Sequence, residues 1–298
     1  MQKFLEKNLL PIAMVIGIVF HKYLAILSPA TPYLLAVMLF ITYSKIALKD
    51  IRFNKLHYIL ILIQYLGSLI IYLLLRNINE TLAQATMICV LAPTATSAPV
   101  VVSLLGGNVA STTAFTLLSN LLLAILAPLY LTFIGDVGSG LSFATSFIII
   151  LRKVLPILLL PFILALILQN VSPKLHTKVK QAQILSFYIW AAALTIVLGN
   201  ITNYVIIEKN NNFSIEVLIA TASLIICLSQ FAIGRMLGKK FGQTITGGQG
   251  MGQKNTILAI WLTQTYLNPL ASLGPGLYVA WQNIVNSYQI WRKKQSEH

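Results

Sequence analysis

Lys254 lies in an apolar run directly after a glycine-rich stretch, GGQGMGQKN (247–255), in which Gly247, Gly248, Gly250 and Gly252 crowd together. A lysine at the centre of a membrane helix costs roughly 2.5–3.5 kcal/mol on insertion scales, so a cation there either serves function or is held by backbone carbonyls and water. A second interruption, LAPTATSAPVVVSLLGG (91–107), sets Pro93, Thr94, Thr96, Ser97 and Pro99 in the middle of another apolar run. Hydroxyls, amides and one ammonium suit the binding of a small anion better than bond-making chemistry. The acids are Glu6, Asp50, Glu80, Asp136, Glu208, Glu216 and Glu297, and none falls in the middle of an apolar run. His21, His57, His176 and His298 fall in loops or at helix ends. Neither a Ser–His pair nor an aspartate pair is therefore expected at depth, and the reading is not an enzyme. Cys89 and Cys227 sit in apolar runs and are expected to be small buried hydrophobes, with no disulfide, metal or cofactor.

The elements that position these residues follow from composition. Of 298 residues, 57% are hydrophobic and 9% charged, which excludes an ordinary soluble domain. Spans of about 20 apolar residues cross a bilayer, and the runs between polar breaks predict ten, near 8–24, 29–48, 56–75, 81–104, 108–134, 147–169, 184–206, 214–234, 246–266 and 268–291. A β-barrel would need short alternating segments, whereas these runs are continuous and rich in Leu and Ile. The expectation is an all-α membrane protein with a single polytopic domain. The N-terminal run lacks a small-residue cleavage pattern and reads as the first span.

The net charge of +14 is a topology signal rather than a sign of nucleic-acid binding. With alternate loops assigned to two sides, one side collects Lys3, Lys7, Lys45, Lys49, Arg52, Lys55, Lys174, Lys178, Lys180, Arg235, Lys239, Lys240 and Arg292 to Lys294. The other has Lys22, Arg76 and Lys209, while Arg152 and Lys153 are ambiguous near the start of span six. The positive-inside rule puts both termini in the cytoplasm, with anionic lipid a secondary partner. Compact length and the absence of an organelle-targeting extension point to a bacterial inner (plasma) membrane.

KNLLPIAMVIGIVF (7–20) looks like RKVLPILLLPFILAL (152–166), each at the start of a five-helix half. A repeat with an odd number of helices inserts its second copy upside down, a common build for secondary transporters. The two interruptions then occupy equivalent spans, four and nine. Broken helices in corresponding positions are the best sequence pointer to a transporter site, and unwound backbone is tolerated only where protein or trapped water satisfies it. Each break begins a half-helix whose free N–H groups and positive dipole end favour an anion. A packing kink is the competing reading of either break alone.

At these residues the chain resembles the bile acid sodium symporter family. The similarity covers essentially the whole chain and is sharpest in APTATSAPVVVSLLGGNVASTTAFTLLSNLLLAILAPL (92–129) and in GMGQKNTILAIWLTQTYLNPLASLGPGLYVAWQN (250–283). The resemblance implies ten transmembrane helices in two inverted five-helix repeats, about 1–138 and 145–298, with discontinuous helices 4 and 9 crossing at the midplane. It implies panel helices 1, 2, 6 and 7 and core helices 3–5 and 8–10 that exchange access by rocking. It also implies substrate contact at Thr96 and Asn255. Ser97, Pro99, Lys254 and Asn283 are further candidates for the substrate site. From the residues themselves, Thr96 and Asn255 read as caps of half-helix starts, and Asn120 and Asn283 as interhelical hydrogen-bonding groups.

Departures from the family are informative. A serine-asparagine pair and a glutamate that the resemblance assigns to one sodium site fall here on Ala98, Pro99 and Gly250, leaving only the hydroxyls of Thr112 and Thr116. The second sodium site would involve Gln64, backbone carbonyls near Met251 and Gln253, and a glutamine whose position is Lys254. An ammonium there stands in for the ion, or, lacking a carboxylate partner, carries a proton through the cycle. The expected function is alternating-access transport of a small organic anion, a carboxylate or bile-acid-like molecule, sodium-independent or proton-linked. A residual sodium-coupled symporter and a non-transporting membrane sensor on the same scaffold are the alternatives. A channel is disfavoured because neither break carries an acidic ring or a filter sequence.

Overall fold

The computed structural model describes residues 2–46, 51–135, 141–207 and 213–296. Lys49, Lys209 and the acids Asp50, Asp136, Glu208 and Glu297, together with His298, lie outside the described residues. Among those described, every regular element is helical, and the one departure is an isolated antiparallel bridge between Thr94 and Lys254.

The chain opens with α1 (Gln2–Val19), α2 (His21–Ile26) and α3 (Thr31–Tyr43). The first apolar segment is thus two helices, interrupted at Phe20, which leaves helical geometry at φ −100°, ψ 24°. α4 (Lys55–Leu75) starts at Asn54, whose Oδ1 accepts the His57 N–H at 3.2 Å. α5 (Glu80–Leu91) starts likewise at Asn79 and stops before Pro93; after six residues of irregular chain α6 (Ala98–Leu105) continues the segment. Gly106, at φ +78°, ends α6 in the left-handed conformation that a side chain disfavours. α7 (Val109–Ile134) is capped by Asn108 and α8 (Phe143–Val171) by Ser142. Arg152 and Lys153 fall well inside α8, exposed, rather than near its start.

α9 (Pro173–Gln181) was not expected from the sequence. It is a short exposed helix carrying Lys174, Lys178 and Lys180, formed because Pro173 opens it and the stretch is too polar to enter a bilayer. α10 (Gln183–Ile207) and α11 (Phe213–Lys240) follow, then the second broken segment, α12 (Thr244–Gly252) and α13 (Thr256–Tyr266). A 3₁₀ turn at Pro269–Ser272 leads into α14 (Leu273–Ser296).

Five of these helices, α4, α7, α8, α10 and α11, are long and apolar enough to cross a membrane, and shorter apolar helices accompany them. Their outer faces carry exposed Leu62, Leu66, Ile70, Ile125 and Phe133, surface that only lipid covers without penalty. The protein is an integral membrane protein. One packed group joins α1, α2 and α3 with α8 and α10; another joins α4 to α7 with α11 to α14. The largest buried apolar cluster runs between them through Leu39, Leu123, Leu131, Val154, Leu194 and Ile260.

Candidate functional site

The two broken helices meet at their interruptions. Ala95 N–H donates to Gln253 O and Asn255 N–H to Pro93 O, both at 2.8 Å, so the unwound strands satisfy each other as a two-rung antiparallel ladder. Backbone that lost its helical partners inside an apolar protein needs such replacements. The break in the second segment lies at Gln253 to Asn255, not at the glycines as the sequence suggested. Gly247, Gly248, Gly250 and Gly252 are helical, within α12. Their smallness serves close packing: a Cβ on Gly247 would sit 2.2 Å from Gly234 O, and one on Gly252 would enter the Phe231 ring. Small residues at a helix contact let backbones approach, which is how α12 seats on α11.

Lys254 is 1% exposed and extends across the crossing. Its Nζ donates to Val90 O and Ala92 O, both at 2.9 Å. These are carbonyls at the C-terminal end of α5, the negative end of a helix dipole. Gln64 on α4 donates to Leu91 O at 2.8 Å and to the same Ala92 O at 3.2 Å, and its Oε1 accepts from Ser119 Oγ. The lysine backbone is clamped by Gln282 of α14, which accepts Lys254 N–H at 2.8 Å and donates to Lys254 O at 3.4 Å. Two backbone carbonyls seat a buried ammonium here.

Thr94 anchors the other strand. Its hydroxyl donates to Gly250 O at 2.7 Å, its N–H to Ser119 Oγ, and its carbonyl accepts from Asn120 Nδ2 at 3.0 Å. Tyr278 donates to Gly252 O and accepts from Gln230, which also reaches Cys89 O. Cys89 and Cys227 are buried in the cluster around Tyr278, as small hydrophobes. Ser119, Gln282, Tyr278 and Gln230 were not singled out in the sequence, and Thr94 was named only as part of the first interruption. Isolated polar residues in apolar runs, such as SN at 119–120, were the available signal.

Of the sequence candidates, Lys254, Gln64, Gln253 and Asn255 are brought together. Asn255 caps α13 by accepting Leu258 N–H at 3.3 Å, and its Nδ2 is buried without a partner. Gln253 Nε2 donates to Ser97 Oγ at 2.8 Å. Ser97, not Thr96, occupies the cap position of α6, and its side chain makes no cap bond; Thr96 is half-buried beside it. The capping role read for Thr96 is corrected, because the helix starts one residue later. Pro99 sits in the first turn of α6, where its missing N–H is harmless. Asn283 bonds Val279 O on its own helix, so no interhelical bond forms there, whereas Asn120 makes one.

On the side where a side chain would project, Gly250 faces hydrocarbon. A Cβ there would lie 2.8 Å from Phe115 Cδ1, and Phe115 packs with Leu56, Leu60 and Met251. Thr112 turns its hydroxyl to Asn108 O on its own helix. Thr116 Oγ1 and Asn120 Oδ1 are buried without partners. The first position at which the sequence lost a carboxylate is therefore filled by hydrocarbon.

The structure does create a Ser–His contact, at helix ends where the sequence put the histidines and not at depth: His57 Nε2 lies 2.8 Å from Ser111 Oγ at the starts of α4 and α7. Ser111 donates its own proton to Gln243 Oε1, and Asn54 Nδ2 also points at Ser111 Oγ. The serine oxygen is thus tied to three side chains. This cluster locks the starts of α4, α7 and the α12 cap together instead of presenting a nucleophile.

No curated protein matches the chain. The model of the Sodium Bile acid symporter family matches residues 2–233, ending inside α11, so that α12, Lys254 and α13 lie beyond the matched residues. A match over this share of a helical membrane chain shows that the protein belongs to the sodium bile acid symporter family, whose members are secondary transporters and not enzymes.

Proposed function

We propose that the protein is an alternating-access transporter of a small organic anion in which the Lys254 ammonium replaces a bound sodium ion. The observation that carries this reading is the seat of Nζ, 2.9 Å from each of two backbone carbonyls at the broken end of α5. Sodium, like other hard cations, is held by oxygen ligands of this kind. A tethered cation fills such a site permanently, so the cycle runs without sodium or exchanges a proton on the lysine. The hydrocarbon around Gly250 supports the loss of the other ion site. The substrate carboxylate would engage Ser97, Thr96 and the unpaired amide of Asn255 beside the α6 and α13 starts, where dipoles favour an anion.

Ten spans in two inverted repeats, with both termini cytoplasmic in a bacterial inner membrane, is the topology that accompanies this reading. Its support is the packing: α1 lies on α10 as α8 lies on α3, α4 on α5 as α11 on α12, and α6 on α7 as α13 on α14. Panel helices are then α1 to α3, α8 and α10. Of the four half-helices, α13 is the one that packs on panel helices, touching α3 and α10 beside its main partners, α14 and the 3₁₀ turn. Ser97, beside α6, is exposed, and neither α6 nor α12 has main packing partners in the panel, an arrangement that fits access from the cytoplasm.

A sodium-coupled second reading is favoured by one observation, the unpartnered buried oxygens of Thr116 and Asn120. Uptake into proteoliposomes distinguishes the readings, with labelled taurocholate and labelled pyruvate as probes and sodium or choline chloride outside. Equal uptake in both salts supports the tethered cation. Sodium-dependent uptake overturns it, and no flux of either probe, or of a wider carboxylate panel, returns the sensor alternative.

A further inference from the structure

At the end of the molecule away from the His57–Ser111 cluster, a cavity of about 570 Å³ opens where α5 begins and where α7, α10 and α13 end. Its lining includes Glu80, Thr81, Gln84, Tyr204, Tyr266 and Asn268. Glu80 is held in place: Tyr72 Oη donates to its Oε1 at 2.8 Å and Gln84 Nε2 to the same oxygen at 3.0 Å. Gln84 Oε1 in turn accepts Asn268 N–H at 2.8 Å, and Asn268 Nδ2 donates to Thr81 Oγ1 at 3.0 Å. The carboxylate is thus fixed between the start of one broken segment and the end of the other. Both donors fall on Oε1, which leaves Oε2 as an acceptor at the cavity. Tyr266 is 6% exposed, and its hydroxyl is buried without a hydrogen-bond partner.

A carboxylate at the mouth of an anion carrier repels the anion, so its fixed position calls for another ligand. We propose that this cavity is a second binding site that takes the ammonium group of a small primary amine, with Glu80 as counter-ion. A primary ammonium brings three N–H donors to a carboxylate whose two donors both fall on one oxygen. The ammonium belongs either to a free amine or to a zwitterion; the carboxylate of a zwitterion would lie toward the Asn268 side chain. The site stands on the cavity geometry and is independent of the Lys254 reading.

Melting temperatures of the purified full chain in lipid nanodiscs test it, because a ligand of the folded state stabilises by mass action. Ethylammonium chloride, glycine and, as a control without N–H donors, choline chloride are titrated at matched ionic strength. The expected result is stabilisation by ethylammonium or glycine beyond choline, with apparent affinity weakened about 10- to 100-fold in Glu80→Gln, as loss of a charged hydrogen-bonded partner implies. Tyr266→Phe, which removes a buried hydroxyl that does not face the cavity, leaves the affinity unchanged, and both variants elute as folded protein before titration. Response to glycine alone identifies a zwitterion as the source; response to ethylammonium identifies a free amine. Equal responses to all three salts, or an unchanged response in Glu80→Gln, overturns the proposal.

Discussion

Replacing Gly250 by alanine should change sign with its neighbour. In the native protein a Cβ at 250 lands 2.8 Å from Phe115 Cδ1 and 3.0 Å from Cε1, against about 3.5–4.0 Å for favourable carbon contacts. Phe115 is fully buried among Leu56, Leu60 and Met251, so it has little room to retreat. Overpacking of this kind costs about 1–3 kcal/mol, partly offset by the roughly 1 kcal/mol that alanine gains over glycine within a helix such as α12. Gly250→Ala alone is therefore neutral to destabilising by about 2 kcal/mol. Phe115→Ala alone costs about 3–5 kcal/mol as a large-to-small core change. In the Phe115→Ala background the clash is gone, and Gly250→Ala should stabilise by up to about 1 kcal/mol. The coupling energy of the cycle is then about 1–3 kcal/mol. Equilibrium unfolding in mixed micelles, followed by tryptophan fluorescence, measures all four proteins. Equal effects of Gly250→Ala in both backgrounds would refute the claim that Phe115 fills the space beside residue 250.

Other substitutions separate structural from ligand-contacting roles at the crossing. Thr94→Val leaves the buried Gly250 carbonyl without its 2.7 Å donor and should cost about 1–3 kcal/mol in the same unfolding assay. Asn255→Ala removes the α13 cap, for an expected loss of about 0.5–2 kcal/mol, and should also lower uptake of whichever probe is transported. Ser97→Ala removes the oxygen that accepts Gln253 Nε2 at 2.8 Å and should cost about 0.5–1.5 kcal/mol, while it also reduces uptake. A Ser97→Ala protein with normal flux would remove this serine from the substrate site.

Much of the architecture was legible because lipid simplifies the code. The apolar runs at 56–75, 108–134 and 184–206 reappear as α4, α7 and α10 with small boundary shifts. Proline and hydroxyl residues at 93–99 marked the first break correctly, since Pro93 and Pro99 cannot sustain a helical ladder. The glycines misled for the opposite reason: glycine signals either an irregular backbone or a close helix contact, and only Gly234 on α11 reveals which. Side-chain direction was equally hidden. Asn283 and Gln282 are adjacent, and about 100° of helix turn decides that Gln282 clamps Lys254 while Asn283 bonds its own helix. His57 and Ser111, far apart in sequence, meet because two capped helix starts coincide, and no local pattern encodes that.

The most direct test of the tethered-cation account is the melting temperature of the purified protein against sodium chloride, with choline chloride at matched ionic strength, for wild type and Lys254→Gln. An ion that binds the folded state raises the melting temperature by mass action. The account predicts no sodium-specific stabilisation of wild type, because Nζ already engages Val90 O and Ala92 O, and its appearance in Lys254→Gln once those carbonyls are released. Sodium-specific stabilisation of wild type would contradict it and establish a surviving ion site.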